Sequence, residues 1–384
     1  MKILYCCWNE NSAQDVVCNL QKNADEVLVM RREVKEYLDG RAVTEILEKL
    51  EGVDAVFSFD FFPLVSRLCK ETGKKYIAWI YDWPNYTVFD PQVYNDCNEV
   101  WLFEKDGIRQ LEQYRVSNLK YMPLAVDTGR LDRQLGSDIR NTQFLYDVSF
   151  VGNLYLKKEQ AMMSEKVPEY YSGFVDALAA AQEKIFGYNL VNDVINRDFT
   201  RKYLKEIHEE LDVESVPEEF VLASQINKLV TGKERRELLT AAAQQYEVHL
   251  FSSAGQENLG KVHLHGSVDY EKGMPQIFRK SKINLNITLR SITTAVPLRV
   301  FDILGSGGFC LTNYQEGILE HFEDGKDLVM YTGREDMLEK IQYYLEHEKE
   351  RMDIACHGHE SVRKYSYENA FNKMFGLPVM DEER

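Results

Sequence analysis

The chain alternates short apolar runs with stretches whose apolar positions recur every three or four residues. In the first part "KILYCCW", "EVLVM", "DAVFSF", "YIAWIY", "EVWLF" and "LKYMPLA" read as strands. Between them "GRAVTEILEKLEG", "FPLVSRLCKETG" and "KDGIRQLEQY" carry helical spacing, and the first two end on a glycine that can close a helix. Strands alternating with helices predict a parallel, doubly wound sheet. A polar passage, "VDTGRLDRQLGSDIRNTQ", separates this part from the next predicted strand, "YDVSFVG".

The alternation resumes later, with "YEVHLFS", "KVHLHGSV", "KINLNITL", "FCLTN" and "DLVMY" as strands. Helical spacing falls at "KERRELLTAAAQQ", at "EKGMPQIFRKS" and over "GREDMLEKIQYYLEHEKERMDIACHGHESVRKY". From residue 157 to about residue 230 the pattern is helical only, and Phe199, Tyr203, Ile207 and Leu211 give one apolar face. The expected fold is therefore α/β, with two Rossmann-like domains facing across a cleft, over residues 1–130 and 140–365. A helical insertion, about 157–230, belongs to the second domain, and a C-terminal helix, about 366–384, packs back on the first. The insertion reads either as a cap or oligomer contact, or as a helical bundle packed on its own domain.

Length agrees with two domains, since 384 residues exceed one ordinary core. The net charge of −16, spread along the chain, argues against a nucleic-acid partner, which calls for a basic stripe. An anionic ligand then needs a local basic pocket. Seven cysteines include no CxxC pair, and Cys6 and Cys7 fall inside the first strand as small buried hydrophobes. His263 and His265 are placed on opposite strand faces, and His357 and His359 on the surface near a helix end, so no metal site is expected. The opening "MKILYCCWNE" turns polar too soon for a signal peptide, and no apolar run of about eighteen residues spans a membrane. A reduced, cytoplasmic protein is expected.

The stretch "VPLRVFDILGSGGFCLTNYQEG", residues 296 to 317, concentrates the candidate chemistry. Pro297 suits the first helical position, Leu298, Phe301, Ile303 and Leu304 continue a short helix, and Gly305 to Gly308 end it. Arg299 and Asp302, three apart, share a helical face near the positive pole of the dipole. That face suits an anion, while an ordinary surface ion pair is the plainer alternative.

Taken with "YMPLAVD", "DVSFVGNLY", "LHGSVDYEKGMPQIFRKSKINLNI" and "YSYENAFNKMF" in this order, the stretch resembles GT-B glycosyltransferases of group 1, specifically the spore-maturation-protein type. The resemblance is dense from 245 to 375 and one of pattern in the first domain. It implies a nucleoside-diphosphate-sugar donor as co-substrate, with no metal or other cofactor. Asp302 would accept hydrogen bonds from the ribose diol. Arg299 and the backbone of Thr293, Thr294, Ala295 and Val296 would take the diphosphate. Gly152 would admit the phosphate closely, and Gly266, Ser267 and Val268 would lie near the base.

Three departures from the family pattern matter. Many relatives have glutamate where this chain has Asp302, and often arginine where it has Asn153. Arg290, Lys157 or Lys158 are the candidates for the missing charge. "CWNENSAQ" lacks the glycine-rich loop of the first domain. An inverting enzyme would need a general base there, with Asp82 the first candidate and Asp60 the second; each also reads as a cap or turn residue. Trp83, Tyr86 and Phe89 fit either an acceptor sugar or loop packing.

The expected activity is glycosyl transfer to a hydroxyl of a cell-surface glycan or a protein. A sugar-nucleotide epimerase and a catalytically silent GT-B binding partner are the alternatives. The acceptor and a homo-oligomeric state stay open.

Overall fold

The computed structural model describes residues 1–8, 10–31, 40–117, 119–155, 167–207, 215–253 and 259–377. The chain forms two compact units, Met1–Arg130 with Lys364–Arg384, and Leu131–Arg363.

The first unit holds strands β1 (Lys2–Cys7), β2 (Glu26–Arg31), β3 (Ala55–Phe59), β4 (Lys75–Ile80), β5 (Asn98–Leu102) and β6 (Leu119–Tyr121). They pair in the order β2-β1-β3-β4-β5-β6, every neighbour parallel. All six fall on the predicted apolar runs. Helices α1 (Ala13–Leu20), α2 (Gly40–Leu50), α3 (Pro63–Thr72) and α4 (Lys105–Gln113) connect them. Helix α1 is an addition to the sequence reading. Its apolar positions, Ala13, Val16 and Leu20, are buried together with polar Asp15 and Asn19, which blur the periodicity. Parallel sheets are covered on both faces, and β3 is buried at all five positions.

Helix α5 (Thr128–Leu135) crosses the division at Arg130. The second unit then runs through β7 (Tyr146–Val151), α6 (Glu169–Gln182), α7 (Leu190–Val194), α8 (Arg197–Ile207), α9 (Glu218–Ala242), β8 (Val248–Phe251) and β9 (His263–His265). Next come α10 (Gly273–Lys280), β10 (Ser281–Asn286), α11 (Leu298–Gly305), β11 (Cys310–Asn313), α12 (Glu316–Leu319), β12 (Val329–Tyr331), α13 (Arg334–Glu346) and α14 (Glu348–Val362). Its sheet order is β12-β11-β10-β7-β8-β9, again all parallel. The last helix, α15 (Tyr367–Phe375), belongs to the first unit, where Tyr367 and Phe371 enter the core with Phe57 and Trp79.

Three expectations change. Helix α9 is one element of 25 residues that covers both the end of the predicted insertion and "KERRELLTAAAQQ". Its first half packs Leu222, Ile226 and Leu229 against Tyr171, Val191 and Tyr203. Its last turns place Leu238, Leu239 and Ala242 in the sheet core with Val148 and Ile283. His263 and His265 share one face of β9, because side chains alternate with a period of two. Both rings stack on His249, with centroids 4.8 and 5.2 Å away. His359 is buried, its Nδ1 3.1 Å from the Leu304 carbonyl and its Nε2 2.9 Å from the Asp132 carboxylate. Leu211, Lys157 and Lys158 lie outside the described residues. Among the described residues no helix is long and apolar enough to cross a membrane.

Candidate active site

In an open parallel sheet, ligands bind past the carboxyl ends of the strands where the order reverses. In the second unit the chain builds β7, β8 and β9 to one side and then returns to the other side of β7 with β10. The reversal therefore lies between β7 and β10. Gly152 follows the first of these strands, Asn286 ends the second, and α11 begins after a loop that leaves β10.

Arg299 reaches back from α11 to this point. Its Nη1 donates to Asn286 Oδ1 at 2.9 Å, and its guanidinium lies 5.0 Å from the Phe150 ring centroid. A Cβ on Gly152 would stand 2.6 Å from Arg299 Nη2, so glycine here makes room for the arginine itself. Burial, then the neighbouring Arg235 cation, lowers the guanidinium to about 10. Asp302, only 8% exposed, accepts a 2.9 Å hydrogen bond from the Tyr270 hydroxyl. The surface ion-pair reading therefore fails: each residue is anchored by its own partner inside the unit.

Asn286 extends the anchoring inward. Its Nδ2 donates to Thr288 Oγ1 at 2.9 Å and Thr312 Oγ1 at 2.8 Å. Thr288 Oγ1 donates to Gln315 Oε1 at 2.9 Å, and Gln315 Nε2 to the Ile292 carbonyl at 2.8 Å. All four side chains are buried, and a satisfied buried network fixes a single geometry. It sets the loop that carries Thr293, Thr294, Ala295 and Val296 to the start of α11. Pro297 is the residue just before this helix rather than its first, and its side chain makes no cap hydrogen bond. The positive pole of the dipole remains there.

The other predicted residues divide. Gly266 and Ser267 are exposed, Val268 is half-buried, and all three lead into Tyr270, which joins them to Asp302. Asn153 turns its side chain onto its own loop, Oδ1 accepting from Tyr155 N at 2.6 Å. Arg290 is not available as a phosphate ligand. Its guanidinium forks onto Glu234, Nε to Oε2 and Nη2 to Oε1, both at 2.8 Å, with each side chain 6% exposed. Tyr270, Asn286 and Arg235 were missed. Tyr270 stands inside the quoted "GSVDYEKG" and could have been found there; the other two carry no local sequence mark.

In the first unit the order reverses between β1 and β3. Asp60 follows β3 directly, with φ 54, and Oδ1 accepts from the Tyr81 amide at 3.1 Å and the Asp82 amide at 3.4 Å. Burial, then the Asp82 carboxylate, raises Asp60 to about 7, against the pull of those two amides; Glu10 adds a smaller push. Asp82 itself is exposed. Glu10 accepts from the Tyr5 hydroxyl and the Trp8 amide. Trp83 is buried, and Phe89, half-buried, packs edge-on against Tyr114 at 5.6 Å.

Two parallel six-stranded sheets with helices define the GT-B fold of glycosyltransferases. Residues 233–376 match the family model described as glycosyl transferase-like. Three solved structures share the fold. Anabaena HepE in complex with UDP and glucose superposes with a TM-score of 0.53 at 11% identity, covering 98% of each chain. T4 phage β-glucosyltransferase gives 0.53 at 10% identity over 98% of this chain and 100% of that one. Sucrose-phosphate synthase from Thermosynechococcus elongatus gives 0.53 at 9% identity over 98% and 97%. No curated protein matches the chain in sequence.

Proposed function

We propose that this glycosyltransferase, of the group-1, spore-maturation-like type, moves a sugar from a nucleoside-diphosphate-sugar to a hydroxyl of a glycan or protein. The carrying observation is Arg299 and Asp302 on successive turns of α11, held by Asn286 and Tyr270 where the sheet order reverses. Arg299 and the amino end of α11 take the diphosphate and the charge that builds on it as the glycosidic bond breaks, without a metal. Asp302, its carboxylate held by the Tyr270 hydroxyl, accepts from the ribose diol. Asp60, rather than Asp82, is the general base for the acceptor hydroxyl, because its pKa of about 7 matches that task. The net charge of −16 supports a glycan or protein acceptor over DNA. Asp60 also weighs against a silent binding partner, and an epimerase would convert donor with no acceptor present.

The test is a thermal-shift series with nucleoside diphosphates and their sugars, UDP and UDP-glucose first. A ligand at a hundred times its Kd stabilises by about 2.7 kcal/mol, a shift of several degrees. Arg299→Ala and Asp302→Ala are each expected to cut it to a small fraction, and undiminished shifts in both folded variants would overturn the site assignment. Tyr270→Phe is expected to raise the donor KM about tenfold at near-constant kcat, since it loosens Asp302 without removing it. Steady-state kinetics over a donor titration decides that point.

A further inference from the structure

Arg235 is 2% exposed and is the most completely enclosed cation near the donor site. Its Nε and Nη2 donate to the Ile287 carbonyl at 3.0 and 2.6 Å, and its Nη1 to the Asn153 carbonyl at 2.6 Å. Ile287 follows β10 and Asn153 follows β7 by two residues. One planar fork therefore bridges the two strand ends between which the order reverses. A guanidinium carries five N–H donors in fixed geometry and can serve two carbonyls at once; an ammonium has one nitrogen and cannot span them the same way.

The helix that carries it comes unusually close. A Cβ on Gly232, three residues earlier on α9, would fall 2.4 Å from the Leu154 carbonyl, so only glycine lets α9 lie against the segment that leaves β7. The guanidinium lies 5.3 Å from the Phe150 ring centroid, the ring that also carries Arg299 at 5.0 Å. Arg235 thus shares a platform with Arg299 and makes no carboxylate ion pair among the described residues. The adjacent Glu234 is committed to Arg290. Two cations on one ring repel in a low-dielectric setting, and a bound dianion relieves that repulsion.

We infer that Arg235 is a positioning residue for the donor site: it ties the backbone after β7 to the backbone after β10 and so fixes the place from which Arg299 meets the diphosphate. The inference rests on the reading of Arg299 as the diphosphate ligand. It also answers the loss of arginine at Asn153. The charge comes instead from a helix residue 82 positions further along the chain, bonded to the Asn153 carbonyl itself.

Arg235→Lys keeps the charge and loses the fork, and Arg235→Met removes both. Binding of inorganic pyrophosphate and of UDP is measured by calorimetry for wild type, both variants, Arg299→Ala and the Arg235→Lys/Arg299→Ala double variant, with circular dichroism as the check on folding. Both Arg235 variants are expected to lose about tenfold in affinity for pyrophosphate. The double variant is expected to lose no more than Arg299→Ala alone, because Arg235 acts through Arg299 and coupled sites are non-additive. Wild-type affinity in Arg235→Lys, or losses that add in the double variant, overturn the inference while leaving the donor site intact. A wild type that binds neither probe overturns the donor-site reading and this inference together. Should the lysine variant not fold, Arg235→Gln takes its place under the same criteria.

Discussion

Asp60→Asn is expected to lower kcat by about 10²–10⁴-fold, the usual contribution of a general base. The substitution is close to isosteric, and asparagine is among the few residues that tolerate a left-handed backbone such as the φ of 54 found here. The loss is therefore expected without loss of the fold. The wild-type rate is expected to rise through about pH 7 as Asp60 loses its proton, and the variant to show no such limb. Stability runs the other way. An unfolded aspartate titrates near 3.9, so between about pH 4 and pH 7 the folded chain holds the proton more tightly and stability falls as pH rises. Asparagine removes that slope. Asp82→Asn is the control: it withdraws a nearby negative charge, so the limb is expected to move to lower pH with only a modest change in plateau rate. A large loss in Asp82→Asn with little in Asp60→Asn would return the role of base to Asp82. Rate and urea-denaturation profiles from pH 5 to 9 separate these outcomes.

Arg290→Ala is expected to destabilise the second unit by about 3–5 kcal/mol, the range for removing one partner of a buried ion pair. Beyond the fork to Glu234, Arg290 donates to the Ile185 carbonyl at 2.8 Å and the Glu183 carbonyl at 3.2 Å. Its own amide donates to Thr231 Oγ1 at 3.0 Å, and its carbonyl accepts from Asn189 Nδ2 at 2.9 Å. One residue thus joins the segment before α7, helix α9 and the loop that leaves β10. Deleting it leaves the buried Glu234 carboxylate without its forked partner and two carbonyls unserved. Arg290→Met with Glu234→Leu is expected to cost less than Arg290→Ala, since no charge is then left buried alone. Urea unfolding of the wild type and the two variants checks this. A change below about 1 kcal/mol for Arg290→Ala would show that the pair does not hold these segments together.

The two arginines mark where sequence reading stops. Arg299 was legible because Asp302 stands three residues away and the surrounding glycines and apolar positions frame both on one short helix. Arg290 reads as a phosphate ligand from its charge and its nearness in the chain to Thr293. Its partner Glu234 is 56 residues away, and no local pattern reveals that distance closing. Asp60 and Asp82 were both visible as acids after strands. Their ranking depends on burial, which raises Asp60 and leaves Asp82 exposed.

The sequence by itself determined the two parallel sheets, the strands within them and the short helix with Arg299 and Asp302. These follow from periodicities of two and 3.6 residues and from glycine and proline at element ends, all of them local properties. The tertiary structure alone decided which cations gather at the strand ends, which brace the fold and which carboxylate burial pushes up to about 7. Burial, ion pairing and desolvation join groups from distant parts of the chain, as Arg235 does with Asn153, and their energies depend on a proximity that sequence order does not encode.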